Sequence, residues 1–141
     1  MIIDPVADSR LEEYYKLRWL LLRKPWGKER GTEIDSLEEA SFHRAALIDN
    51  QIVGVGRIHF IDKLAQIRYM GVKNEFIGEG LGSKILSELE RIAIDSSIER
   101  IFLNSREAAI GFYENNGYLK IGKADSDFAS IVHYRMEKVL E

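Results

Sequence analysis

Met70-Gly71-Val72-Lys73-Asn74-Glu75-Phe76-Ile77-Gly78-Glu79-Gly80-Leu81-Gly82-Ser83 is a strand-like run that empties into three alternating glycines, with a long amphipathic pattern directly behind them. Glycine has no Cβ, so the backbone can come close to a ligand there. The first turn of a helix carries N–H groups with no intrahelical acceptor, together with the positive end of the helix dipole. The combination makes a cradle for phosphate or pyrophosphate that needs no cationic side chain. Behind the loop, Leu81, Ile85, Leu86, Leu89, Ile92 and Ala93 recur at helical spacing and predict an amphipathic helix.

Two familiar nucleotide loops do not fit. A Walker A loop ends Gly-Lys-Ser/Thr, whereas the order here is Gly82-Ser83-Lys84. A dinucleotide fingerprint needs Gly-x-Gly-x-x-Gly after the first strand of a βαβ unit, and the spacing here is Gly-x-Gly-x-Gly after a hairpin pattern. A plain glycine-rich turn has the same composition, and the loop alone does not separate it from an anion cradle.

Working outward, Phe42 to Asp49 and Gln51 to Ile61 are β-rich runs flanking Asp49-Asn50, a pair that tolerates positive φ in a hairpin turn. Gln66 to Val72 alternates as a third strand. Upstream, Asp8 to Lys24 carries Leu11, Tyr14, Tyr15, Leu21 and Leu22 at helical spacing, with Asp8 or Ser9 as N-cap and Pro25 and Gly27 as terminators. Lys28 to Ser41 reads as a polar, acidic loop with a short helix from Ser36. Downstream, Arg100 to Leu103 reads as a short buried strand. Asn104 or Ser105 then caps a helix through Asn116, with Glu107 completing a capping box and Gly117 stopping it. Tyr118 to Ile121 and Ile131 to Val139 close the chain as strands. Neither repeats nor a proline-rich linker divide the sequence, so one domain over residues 1–141 is expected. Its architecture is mixed α/β, an antiparallel meander feeding one or two crossovers.

A second segment, Ala108-Ala109-Ile110-Gly111-Phe112-Tyr113-Glu114-Asn115-Asn116-Gly117-Tyr118, stands one helix and one strand after the loop. It resembles the C-terminal motif Ala-x-x-φ-Tyr-Glu-x-x-Gly-Phe/Tyr of the GNAT superfamily of acyl-CoA-dependent N-acyltransferases. The glycine stretch resembles that family's acyl-CoA loop, Arg/Gln-x-x-Gly-x-Gly/Ala, with Gly80 and Gly82 as the pattern glycines and Ile77 where Arg or Gln is usual. The likeness covers Phe42 to Tyr118 well and the remainder loosely.

The resemblance implies an α/β fold of the α+β type, a mostly antiparallel sheet of six to seven strands with about four helices. It implies acetyl-CoA as donor to a small-molecule or protein amine, by direct attack in a ternary complex. An acyl-CoA-binding sensor on the same fold is the alternative. Met70, Gly71, Val72, Ile77, Gly78, Glu79, Gly80, Leu81, Gly82, Ser83, Asn104 and Tyr113 are then expected to contact the cofactor, the pyrophosphate being held by backbone amides. A backbone N–H around Gly71 and Val72 would polarise the carbonyl where parallel strands splay. Tyr113 is the catalytic candidate, donating to the CoA sulfur, although a partly buried aromatic beside Phe112 explains it equally simply. Many family members have Asn where Arg106 stands; Asn104, two residues earlier, could touch the cofactor instead or cap the helix. A homodimer is also in keeping with the resemblance.

Composition narrows the remaining classes. With 141 residues, 45% apolar and 30% charged, the chain has the make-up of an ordinary globular domain. A net charge of −3 gives no general basic footprint for nucleic acid. Without cysteine there is neither disulfide nor thiolate chemistry. Three scattered histidines, with no HExxH spacing, do not suggest a metal site. The longest apolar run near the start, Trp19-Leu20-Leu21-Leu22, is too short for a bilayer, and no signal peptide is evident, so a cytoplasmic protein is expected. No carboxylate lies between Gln66 and Val72 to act as general base. Glu33, Glu38, His43 and His59 qualify by type, with solvated charges or ordinary strand side chains as the plainer reading. Trp19 and Trp26 could line an acceptor pocket. Acceptor identity is expected to depend on Lys28 to Ser41 and Lys123 to Ala129.

Overall fold

Asp49 and Asn50 both adopt positive φ, 50° and 64°, and turn β2 (Phe42–Ile48) back on β3 (Gln51–Ile61) as the sequence predicts. The structure is a computed structural model and describes residues 1–125 and 131–140. In chain order the remaining elements are β1 (Ile2–Ile3) and α1 (Leu11–Leu22) before β2, then β4 (Leu64–Val72) and α2 (Leu81–Asp95). They are followed by β5 (Arg100–Arg106), α3 (Ile110–Asn115), β6 (Leu119–Ala124) and β7 (His133–Val139). One seven-stranded sheet runs β1-β2-β3-β4-β5-β7-β6. Among the described residues only β4 and β5 pair in parallel, which is why a helix, α2, must cross between them. The α/β, mostly antiparallel architecture expected from the sequence is the one observed, with three α-helices among the described residues.

Each face of the sheet has its own core. Leu81, Ile85, Leu86, Leu89 and Ala93 of α2 bury against Val53, Ile58, Ile67, Ile101 and Leu103. At roughly 1.5–3 kcal/mol per large side chain, this contact is a principal source of stability. Gly56 lets it form, since a Cβ there would stand 2.7 Å from both Ile85 Cγ2 and Met70 Sδ. On the opposite face, Tyr14 and Leu17 of α1 pack on Ala45, Ile52 and Val55.

Local expectations fail where a distant partner intervenes. Neither Asp8 nor Ser9 caps α1; Arg10 holds the N-cap position without a side-chain bond, and Asp4 Oδ1 accepts the amides of Val6 and Ala7. The strand placed at Arg100 to Leu103 continues to Arg106, because β7 pairs along its whole length, Asn104 opposite Arg135 and Ser105 opposite Tyr134. Asn104 and Ser105 are therefore ladder residues rather than caps. Glu107 opens a 3₁₀ turn instead of closing a capping box. Residues 36–40 form turns rather than a helix. No helix among the described residues is long and apolar enough to cross a membrane.

Candidate functional site

The site begins with a bulge. Arg57 pairs with Arg68 and Val55 with Gly71, so Tyr69 and Met70 together oppose Gly56. Tyr69 takes φ +58° to accommodate the extra residue, and β4 bends. Just ahead of the bulge β4 leaves β5: their parallel pairing runs from Leu64–Arg100 to Ile67–Leu103 and stops, although both strands continue. Lys73 donates to Val53 O at 2.8 Å. Antiparallel residues alternate in the direction of their bonds, so the Val72 amide points the other way, into the opening between the strands.

The glycine loop stands beside that opening. Gly80, at φ +79°, is the N-cap of α2, and no side chain caps the helix. Its first-turn amides thus remain for a ligand. A Cβ on Gly78 or Gly80 would meet nothing within 4 Å, so open space lies over the loop. Gly82 serves packing: a Cβ there would approach Phe112 Cζ to 3.1 Å. The Ser83 hydroxyl accepts from Asn116 Nδ2 at 3.3 Å, joining α2 to the end of α3. These features fit a pyrophosphate held by main-chain amides. Ile77, in the position where Arg or Gln was expected, is 65% exposed.

On the other side of the opening is a cavity of about 370 Å³, lined in part by Arg23, Trp26, Arg68, Tyr69, Arg106 and Tyr113. Tyr113 is buried, with Phe112 and Tyr118 set edge-on at centroid distances of 5.0 and 5.8 Å. Burial pushes its phenol well above the ordinary value, opposed by the positive charge of Arg106. The hydroxyl therefore stays protonated throughout the neutral range.

Behind the cavity wall lies a buried ionic cluster that the sequence pattern conceals. Arg18 Nη1 donates to Glu38 Oε2 at 2.8 Å and to Glu33 O at 2.9 Å. Arg57 Nη1 donates to the same Glu38 oxygen at 3.0 Å and to Asp35 Oδ1 at 2.7 Å. The Tyr14 hydroxyl donates to Gly56 O at 2.9 Å, accepts from Arg18 Nη2 at 3.0 Å and stands 2.9 Å from His43 Nδ1. Burial raises the Tyr14 pKa to about 12. Burial likewise lowers that of His43, against the hydrogen bond to Glu38 O. Since Gly56 faces the bulge, the cluster props the backbone that opens the site.

Several expectations need correction here. Glu33 and Glu38 are 0% and 8% exposed, not solvated charges, and the loop from 28 to 41 is the carrier of the buried carboxylates. Glu33, Glu38, His43 and His59 do not line the cavity. Of the residues expected at the cofactor, Met70, Asn104 and Tyr113 line it, whereas Ile77, Gly78, Glu79, Gly80, Leu81, Gly82 and Ser83 make up the loop and first turn of α2, outside the cavity lining. Gly71 and Val72 connect the two. Trp26 lines the cavity; Trp19 instead donates to Lys28 O. Asp125, Ile131 and His133 also reach it, while residues 126–129 of the segment expected to govern the acceptor lie outside the described residues. Tyr69 and Arg68 escaped the sequence reading. A bulge leaves no motif of its own, though a break in β4 alternation at Tyr69-Met70 is its trace.

The sequence profile of the acetyltransferase (GNAT) family matches residues 11–118. The uncharacterized N-acetyltransferase YjcF of Bacillus subtilis (strain 168) is 27% identical over 131 residues, covering 93% of this chain and 94% of YjcF. Among solved structures, an acetyltransferase of the GNAT family from Staphylococcus aureus Mu50 superposes with a TM-score of 0.79 at 19% identity, over 100% of this chain and 99% of that one. An aminoglycoside 6'-N-acetyltransferase complexed with coenzyme A gives 0.79 at 15% identity, covering 99% and 96%. At these identities the two structures establish likeness of fold.

Proposed function

Since this chain belongs to the acetyltransferase (GNAT) family, we propose that it transfers an acetyl group from acetyl-CoA to a primary amine by direct attack in a ternary complex. The observation that carries the reading is the parting of β4 from β5 beside the uncapped start of α2. A thioester arm entering there would have an anion cradle on one side and an acceptor cavity on the other.

Acetyl-CoA supplies an electrophilic carbonyl and a thiolate leaving group. The chain's own residues do the rest. Amides from Gly78 to Ser83 hold the pyrophosphate, and the Val72 amide faces the carbonyl oxygen as charge develops on it. Holding the amine in the cavity makes the attack effectively unimolecular. The amine must first lose its ammonium proton, to water at the open mouth of the cavity. The new bond joins the amine nitrogen to the carbonyl carbon as the carbon–sulfur bond breaks. Tyr113 hydrogen-bonds the departing sulfur. A phenol near pKa 10 against a thiol near 8.5 makes full proton transfer uphill by about 2 kcal/mol. Burial of Tyr113 widens that gap. Donation of a hydrogen bond is its role, and the proton that the nitrogen sheds as the amide forms passes through water to the thiolate.

Ile77 in the Arg/Gln position supports a second reading, a module that binds an acyl-CoA without turning it over. Thiol release from acetyl-CoA across a panel of amines separates the two. Release that depends on the amine, with the acetylated product seen by mass spectrometry, is expected. Tight CoA binding with no amine-dependent release would leave the sensor reading.

A further inference from the structure

We propose that His43 is a positioning residue: by taking up a proton it commits the Tyr14 hydroxyl to Gly56 O, and so fixes the bulge that precedes the Val72 amide. The inference rests on the transferase reading only for the use made of that amide. Three contacts in the buried cluster compete for hydrogens. Tyr14 Oη stands 2.9 Å from Gly56 O and 2.9 Å from His43 Nδ1, and His43 Nε2 stands 2.8 Å from Glu38 O. A phenol brings one hydrogen to these contacts, and a neutral imidazole brings one more. Arg18 Nη2, 3.0 Å from Tyr14 Oη, donates its own and accepts none. With a neutral ring, one of the three contacts therefore lacks a hydrogen. If the ring hydrogen is on Nε2, bare Nδ1 competes with Gly56 O for the hydrogen of Tyr14. If it is on Nδ1, Nε2 and Glu38 O meet as two acceptors. Only the imidazolium fills all three contacts, and the Tyr14 hydrogen then belongs to Gly56 O alone.

The groups facing the ring hold this protonation in balance. Tyr14 and Arg18 face it from α1, Arg57 from β3, and Glu38 from the loop before β2. Burial lowers the His43 pKa from the ordinary 6.5, the hydrogen bond to Glu38 O opposes it, and the charges of Arg18 and Arg57 add to the lowering against that of Glu38. Glu38 Oε1 is buried, makes no hydrogen bond among the described residues, and lies 3.9 Å from His43 Nε2. A positive ring thus has a carboxylate oxygen beside it. The ring is neutral at neutral pH and gains its charge as the solution turns acid. What that proton controls lies beyond Tyr14. Gly56 opposes Tyr69 and Met70, the doubled residues of the bulge, and Val72 is the second residue after them. A donor to a developing oxyanion works by being fixed beforehand, so the hold on Gly56 bears on turnover rather than on nucleotide binding.

The test is an NMR pH titration of the full chain, read at the His43 ring and at the amides of Gly56, Tyr69 and Met70. The expected result is one midpoint, below pH 6.5, shared by the ring and the three amides. Tyr14→Phe keeps the edge-on packing against His43. In that variant the ring should still titrate while the amides no longer follow it. A ring that stays neutral down to acid unfolding, amides that ignore it in the wild type, or amides that still follow it in Tyr14→Phe would each overturn the proposal. Turnover is then compared between wild type and His43→Gln as amine-dependent thiol release from acetyl-CoA, their kcat ratio cancelling the ionisation of the amine. That ratio should rise by about threefold as pH falls through the NMR midpoint, the scale of one neutral hydrogen bond, with the KM for acetyl-CoA unmoved. A flat ratio overturns the positioning role. A titration that stays coupled, with no release from any amine, overturns the transferase reading and leaves the link from His43 through Tyr14 to the bulge standing.

Discussion

The guanidinium carbon of Arg18 lies 4.2 Å from the centroid of the Tyr69 ring, so a charge sealed within the protein abuts the cavity wall through a single aromatic side chain. Tyr69 is also one of the two residues that make the bulge. The buried cluster and the opening between the strands are therefore one mechanical unit.

Glu38 is the hub of that unit, and its loss should be severe. Glu38→Gln removes the carboxylate shared by Arg18 and Arg57, both fully buried. Breaking a buried pair from one side costs about 3–5 kcal/mol; Arg57 keeps Asp35 at 2.7 Å, and Arg18 is the guanidinium that loses its carboxylate. Urea unfolding should show a loss of unfolding free energy of that size; a loss below 1 kcal/mol, the range of an exposed pair, would mean the cluster is solvated in solution.

Asp35 sets an acid limit. Partial burial raises its pKa, but hydrogen bonds from Arg57 and the Leu37 amide, and the charges of Arg57 and Arg68, outweigh it and bring the value to about 2 from 3.8. A depressed carboxyl stabilises the fold above its unfolded pKa, and that stability is lost as pH falls through the folded value. Between pH 4 and pH 2 the wild-type chain should lose about 2 kcal/mol through this group. Asp35→Asn should flatten that part of the profile. Identical acid limbs for the two proteins would contradict the assignment.

Tyr113 should matter to turnover more than to binding. Tyr113→Phe keeps the ring packing against Phe112 and Tyr118 and removes only the hydroxyl. A drop in kcat of about a hundredfold is expected, with the CoA dissociation constant little changed. Since burial keeps the phenol protonated, the wild-type rate should show no loss assignable to this tyrosine up to pH 9. An unaltered kcat in the variant would remove Tyr113 from the chemistry.

Gly80 separates conformation from charge. Gly80→Ala meets no neighbour but must hold φ +79°, at a cost of about 1–2 kcal/mol. Gly80→Asp adds to this a negative charge where the phosphates would lie. Calorimetry should find CoA binding weakened in the first and abolished in the second, and equal affinities in both would place the nucleotide elsewhere.

The amphipathic α2, the Asp49-Asn50 hairpin, the left-handed stop at Gly117 and the strand–glycine–helix order were all legible, because each is written in residues adjacent along the chain. Asn104 was read as a cap because its local signals fit one. Pairing with Arg135, some thirty residues away, made it a strand residue instead. Arg18 was harder still. It occupies the inward face of α1 four residues after Tyr14, where a binary pattern expects an apolar side chain, and it is tolerated only because Glu38 and Tyr14 meet its charge.

The sequence by itself determined the α/β topology and the glycine-capped start of α2, since helical periodicity, turn chemistry and glycine's freedom act within a few residues. Only the tertiary structure decided that β4 leaves β5 after Ile67, that Tyr69 takes a positive φ, and that Arg23 just past α1, Arg68 of β4 and Arg106 of β5 line one cavity. Those outcomes depend on which distant groups share a register and which buried charges find partners, and nothing local along the chain encodes either.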